Sequence, residues 1–308
     1  MVVNLMVPIL SVSAFLSVLT YFLTPNIARK LKEMNVVGVD VHKRKRPKVA
    51  EMGGIAVLPP LMLIPASVYF LSGSPLVLLV MLSTSLFAAY GVLDDIMKLG
   101  KYAKLVLSVL IGSFLLVLAG PPAILFIPLL ILTAAIGNSF NLFAGFNGLE
   151  VGCSTLTALF FSLACLVTGN LVPFYLSLGM SLILFAFLLH NKYPARVFPG
   201  NIGTFTIGGF FVGIALYYNL MHLLIPLLAL HAADMAIKGS SSGFFSSSEK
   251  ARTRVNGKNI LVPRSDYLSL VRLVLRYRPM TEKQLVNFFW AISIVIGVST
   301  VTVAGVLL

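Results

Sequence analysis

A chain of 308 residues that is 58% hydrophobic and 11% charged, with a mean hydropathy of +0.97, is too apolar for a soluble domain and indicates a polytopic membrane protein. Its formal charge of +13 would suggest nucleic acid as the partner of a soluble protein. Here the cations sit in loops between apolar runs, so the expected partner is membrane lipid and no nucleic acid. Cys153 and Cys165 share one apolar run and imply neither a disulfide framework nor a zinc site.

Windows of roughly 17–22 apolar residues suit a hydrocarbon core of roughly 30 Å. Ten are read, at 4–24, 54–72, 75–94, 104–120, 122–138, 153–169, 171–190, 202–218, 220–237 and 285–307. The first lacks preceding basic residues and a small-residue cleavage site, so it reads as a retained helix. Ser72-Gly73-Ser74-Pro75, Gly120-Pro121-Pro122 and Thr168-Gly169-Asn170 make tight uncharged connections. With this count, all 23 Lys and Arg and all 10 Asp and Glu fall at one end of the helices. The positive-inside rule makes that end cytoplasmic, with both termini outside and the chain in the plasma membrane. The expectation is an all-α integral membrane protein of about ten helices, forming a single transmembrane domain over 1–308.

Four loops carry the charge. Residues 25–53 hold the basic run His42-Lys43-Arg44-Lys45-Arg46-Pro47-Lys48, then Glu51 and a Gly53-Gly54 pair. The run serves topology and anionic lipid, or attracts an anionic substrate. Residues 94–104 open with Asp94-Asp95, followed by Lys98, Lys101 and Lys104. Two adjacent ionised carboxylates repel, so a positive partner is expected: Mg²⁺, a lysine or a proton. Residues 191–203 contain Phe198-Pro199-Gly200-Asn201, whose glycine-flanked helix start could offer backbone N–H groups to phosphate. His231 and Asp234, three apart, are expected to pair with each other. The last loop, 238–283, opens with a Gly/Ser stretch and carries Arg252-x-Arg254, a spacing suited to gripping a pyrophosphate. Beyond it, Leu268, Val271 and Leu275 share one side of an expected interfacial helix. Thr281 with Gln284 reads as a capping box opening the last span.

The organising stretch is Asn138 to Gly152, N-S-F-N-L-F-A-G-F-N-G-L-E-V-G. Amide and carboxylate side chains are costly in hydrocarbon unless paired or wetted, so a polar cluster between two apolar runs reads as a cavity lining. Asn138 and Asn141 share a helix face. With Asn147 and Glu150 they are expected to form part of an active site.

These pieces resemble the polyprenyl-phosphate N-acetylhexosamine-1-phosphate transferases. The resemblance rests on Gly91-Val-Leu-Asp94-Asp95 with Lys104, on Asn138-x-x-Asn141-x-x-Ala144-Gly-x-Asn147-Gly-Leu-Glu150, and on Val197-Phe-Pro-Gly-Asn201-x-Gly. It implies an enzyme that moves a sugar phosphate from a UDP-sugar to polyprenyl or dolichyl phosphate, with Mg²⁺ or, as a substitute, Mn²⁺. By resemblance, Asp94 or Asp95 deprotonates or orients the lipid phosphate, and Lys104 holds that phosphate or the pyrophosphate. Asn141 resembles a metal position and Asn147 the reader of uracil. Glu51, Arg252 and Arg254 resemble sugar and pyrophosphate contacts, and Asn138 and Glu150 are taken with the substrate-binding set. Asn201 stands at a metal position where the family generally carries aspartate. The A-G-x-N-G-L-E form resembles archaeal and eukaryotic dolichol-type enzymes using UDP-GlcNAc. The triple histidine of the muramyl-pentapeptide enzymes is absent. A homodimer is a further expectation. The alternatives are a transporter of an anionic nucleotide-sugar and a catalytically inactive relative of these enzymes.

Overall fold

A computed structural model describes residues 6–242, 253–256, 259–263 and 268–306. Among these, nine helices are long and apolar enough to cross a membrane, and a tenth span results if one bent pair is counted. The protein is an all-α polytopic membrane protein.

The helices are α1 (Met6–Glu33), α2 (Leu58–Ser72), α3 (Leu76–Met97), α4 (Lys101–Ala119), α5 (Ala123–Phe143), α6 (Leu149–Val167), α7 (Leu171–Asn191), α8 (Gly200–Tyr217), α9 (Met221–Leu227), α10 (Ala229–Ser242), α11 (Leu270–Tyr277) and α12 (Glu282–Val306). Several run further than the apolar windows suggest. α1 continues through Pro25 to Glu33, with Lys30 and Lys32 in its last turn, where cations favour the negative helix end. α5 runs to Phe143 and α6 begins at Leu149, so Asn138, Asn141 and Glu150 all lie on helices. The ninth window is not one straight span. It breaks into α9 and α10, bent by 68° at Leu228, two residues beyond Pro226, which has no backbone N–H to donate.

α8 occupies the centre. In its apolar stretch 89% of residues are buried, against 22% in α4 and α12. Small residues allow this: a Cβ on Gly209 would stand 2.6 Å from the Phe87 side chain, and one on Gly213 would stand 2.9 Å from the Val80 Cα. α3 and α8 therefore lie together along their length, with Ser83 donating a 2.8 Å hydrogen bond to the Gly209 carbonyl.

Two small sheets stand at the charged end. β1 (Val37–Val39) and β2 (Lys48–Ala50) form an antiparallel hairpin around the basic run. β3 (Arg254–Val255), β4 (Ile260–Val262) and β5 (Met280–Thr281) form a second antiparallel sheet. α11 buries Val271 and Leu275 in a cluster with Phe143, Leu261, Leu285 and Phe289. The capping box forms: Thr281 N–H donates to Gln284 Oε1 at 3.0 Å, and Gln284 N–H to Thr281 Oγ1 at 3.3 Å.

Candidate active site

The segment after β2 meets the start of α8 through backbone contacts. Gly53 N–H and Gly54 N–H each donate at 2.8 Å, to the carbonyls of Phe198 and Pro199. A Cβ on Gly54 would lie 2.3 Å from the Gly203 backbone. The Gly-Gly pair after Glu51 thus exists so that two backbones can touch.

This approach closes a polar cavity of about 290 Å³ at the charged end of the bundle. Glu51, Asn141, Asn147, Glu150 and Asn201 all line it, joined by Asp40 and His42. Asn141 Nδ2 donates to Asn201 Oδ1 and, at 3.1 Å, to Thr204 Oγ1. The asparagine stretch and the Phe-Pro-Gly-Asn stretch, distant in sequence, therefore share one wall.

The two aspartates part company. Asp94 is 1% exposed; its Oδ2 accepts from Lys104 Nζ at 2.5 Å, and its Oδ1 from Leu99 N–H at 3.1 Å. Asp95 turns the other way and caps α8, accepting from Asn201 N–H at 3.0 Å and Ile202 N–H at 2.9 Å. Lysine is thus the positive partner of one carboxylate, and a helix N-terminus that of the other. The same bonds correct the expectation that these first N–H groups face phosphate, because Asp95 already uses them.

Asn138 is held away from the cavity. Its Nδ2 donates to Ser108 Oγ and the Ala134 carbonyl, both at 2.7 Å, while Tyr90 donates to its Oδ1 at 3.2 Å. It joins α3, α4 and α5. Arg252 lies outside the described residues, as does the side chain of Arg254.

Three groups escaped the sequence reading. Asn147 Nδ2 donates to Asp40 Oδ2 at 2.9 Å, and Asn147 N–H donates to Glu282 Oε1 at 2.8 Å. Lys43 pairs with Glu282 and stands 3.5 Å from Asp40. Asp40 and Glu282 are each 3% exposed. Together they clamp Asn147 between the first charged loop and the last helix. The available signal was an acid two residues ahead of the basic run, and an acid inside the capping box.

His42 stacks on Phe146, with centroids 4.2 Å apart, and its Nδ1 lies 2.7 Å from Thr253 Oγ1. Burial pushes the imidazole down from 6.5 to about 4, although Asp40 pulls it upward, so it is neutral at neutral pH.

The expected pairing of His231 with Asp234 is not found. His231 Nε2 faces Glu150 Oε2 at 3.6 Å, between the rings of Phe140 and Phe143. Asp234 instead pairs with Lys238 at 2.7 Å and accepts from Leu270 N–H at 2.9 Å, capping α11. Both residues lie on α10 beyond the bend, and the packing of α10 on α5 brings His231 to Glu150 instead.

Fold and site together define a multi-pass membrane protein with an amide- and carboxylate-lined cavity where charged loops meet apolar helices. The sequence pattern of Glycosyl transferase family 4 matches residues 77–219. A protein of Methanocaldococcus jannaschii provisionally named a glycosyltransferase is 32% identical over 265 residues, 85% of either chain. One of Saccharolobus solfataricus, provisionally named UDP-N-acetylglucosamine–dolichyl-phosphate N-acetylglucosaminephosphotransferase, is 29% identical over 97% of either chain. A phospho-N-acetylmuramoyl-pentapeptide-transferase of Petrotoga mobilis is 25% identical over 88% of either chain. The chain belongs to glycosyl transferase family 4, the polyprenyl-phosphate sugar-1-phosphate transferases.

Proposed function

We propose that this protein transfers N-acetylglucosamine 1-phosphate from UDP-N-acetylglucosamine to a polyprenyl phosphate of the dolichyl type, releasing UMP. The reaction would run at the cytoplasmic face of the cell membrane, where the charged end faces by the positive-inside rule. The observation that carries this reading is the cavity in which Glu51, Asn141, Asn147, Glu150 and Asn201 converge, with Asp95 bonded to the backbone N–H of Asn201. The name of the Saccharolobus relative supports the choice of sugar and acceptor.

In the transfer, an oxygen of the lipid phosphate forms a bond to the sugar-bearing phosphorus of the donor. The bond from that phosphorus to the bridging oxygen breaks, and UMP leaves. Both reactants are anions, so the protein's work is positioning and charge compensation. Lys104 is the cation for phosphate, and buried Asp94 fixes its ammonium. Asp95 is a positioning residue, because its two backbone bonds set the first turn of α8 and so the place of Asn201. Asn147, clamped by Asp40 and Glu282, is assigned to the uracil.

Mg²⁺ is the cofactor we assign. The cavity lining offers the carboxylates of Asp40, Glu51 and Glu150 and the amides of Asn141 and Asn201. That set fits a hard cation that keeps waters and takes further oxygens from substrate phosphates. Among the described residues no three His, Cys, Asp or Glu side chains gather as a metal group, so the ion would be held jointly with the pyrophosphate. When bound, it would offset the charge of that pyrophosphate.

The test is UMP release by purified protein given UDP-N-acetylglucosamine and dolichyl phosphate, with and without Mg²⁺. Release that requires both lipid and metal supports the reading; release without the lipid overturns it. The neutral amide of Asn201, at a position where the family generally carries aspartate, also favours a second reading, an inactive relative. No release with any UDP-sugar from folded protein would select it.

A further inference from the structure

A second cavity, of about 430 Å³, lies on another side of the molecule, between the last turns of α1 and the segment following α7. Its floor is buried and largely apolar, with Ala28, Val197 and the His190 ring. Its rim is cationic: Arg29 and Lys32 from α1 and Arg196 from the loop, against the single acid Glu33. The loop side is anchored, since Arg196 N–H donates to the His190 carbonyl at 2.9 Å and His190 Nε2 lies 2.9 Å from the Tyr21 carbonyl oxygen.

The level of this crevice along the bundle follows from helix length. α1 has 28 residues, about 42 Å at 1.5 Å per residue, against a hydrocarbon core of roughly 30 Å. Its last turns therefore emerge into the headgroup layer, carrying Arg29 and Lys32. About two turns below Arg29, Tyr21, Phe22 and Leu23 are exposed, at 40%, 65% and 38%, as suits residues in contact with acyl chains and the interface. A cationic rim above an exposed apolar turn, between two membrane helices, is the arrangement that binds an anionic lipid headgroup.

We propose that the Arg29–Lys32–Arg196 crevice binds the phosphodiester headgroup of an anionic diacyl phospholipid. The occupant is not the acceptor lipid, because the crevice is walled off from the polar cavity. Val197 bridges to Ala50, and Phe198 N–H donates to the Ala50 carbonyl at 2.8 Å. Arg196 and Val197 face the crevice while Phe198 lines the cavity. A headgroup held there braces the strap that leads into Asn201. The inference needs only a membrane-embedded chain and does not rest on the transferase reading.

The test is native mass spectrometry of the full chain released from mild detergent after titration with short-chain phosphatidylglycerol or phosphatidylcholine. One tightly retained phosphatidylglycerol per chain is expected. The variant Arg29→Gln/Lys32→Gln/Arg196→Gln should weaken retention about a hundredfold, at about 1 kcal/mol for each cation near a membrane surface. A control, Lys30→Gln/Arg278→Gln/Lys283→Gln, removes the same charge at exposed positions outside the crevice and should bind as wild type. Equal retention of phosphatidylcholine, equal loss in the control, unchanged binding in the first variant, or displacement by equimolar polyprenyl phosphate would each overturn the proposal. Unfolding of the first variant would show as a lowered melting temperature in phosphatidylcholine; single Arg196→Gln, on the exposed loop, then carries the test with about a fivefold loss expected.

Discussion

Asp95→Asn separates the two aspartates by their tasks. Asp95 accepts from Asn201 N–H and Ile202 N–H at 3.0 and 2.9 Å, and a hydrogen bond to a charged group is worth roughly 1.5–3 kcal/mol. A charge at a partly buried helix N-terminus adds up to about 2 kcal/mol. Asparagine keeps one acceptor oxygen, sets an NH₂ against the other N–H, and removes the charge. The loss should be about 2–4 kcal/mol. Asp94→Asn should cost less, because Oδ1 can still accept from Leu99 and the Lys104 side chain, 26% exposed, can turn to water. Thermal unfolding in one detergent, followed by far-ultraviolet circular dichroism, should therefore rank wild type above Asp94→Asn and Asp94→Asn above Asp95→Asn. UMP release should fall steeply in both. In Asp95→Asn the cause is a displaced Asn201, and misplacement by about 1 Å can cost on the order of a hundredfold in rate. Melting of Asp95→Asn together with wild type, or above Asp94→Asn, would refute this ranking.

Further outcomes are expected elsewhere. Gly54→Ala sets a methyl 2.3 Å from the Gly203 backbone, where no rotamer gives relief, and should destabilise by about 3 kcal/mol; a wild-type yield of monodisperse protein would contradict this contact. Glu282→Gln loosens the bonds to Lys43 and Asn147 and should raise KM for the nucleotide sugar more than it lowers kcat, in initial-rate measurements. His42 has a folded pKa lowered to about 4 from 6.5. Folding thus favours its neutral form, and its contribution is complete above pH 6.5. That contribution is lost as pH falls from 6.5 to about 4, by at most about 3 kcal/mol. The melting temperature of wild type should fall more steeply than that of His42→Gln between pH 6.5 and 4.5; parallel curves would refute the burial of this ring.

Except at the bent ninth window, the sequence by itself determined the spans, because hydrocarbon excludes charge whatever the helices pack against. Charge at one end, turn residues at the other, and long apolar windows were each local facts. The motifs also announced their cavity, since Asn141, Asn147 and Glu150 are costly between apolar runs unless paired or wetted, and all three line it. What remained open depended on direction and on distant partners. Asp94 and Asp95 are neighbours, but successive helical residues point about 100° apart, and only packing assigns one to Lys104 and the other to α8. Asn138 and Asn141 share a face by spacing, yet Tyr90 and Ser108 claim the first while the second reaches Asn201. Lys43 meets Glu282 across 239 residues, and no local pattern carries such a pairing. His231 likewise faces Glu150 rather than Asp234 three residues along α10, because Lys238 and the start of α11 claim Asp234, and only tertiary packing brings Glu150 within reach of the imidazole.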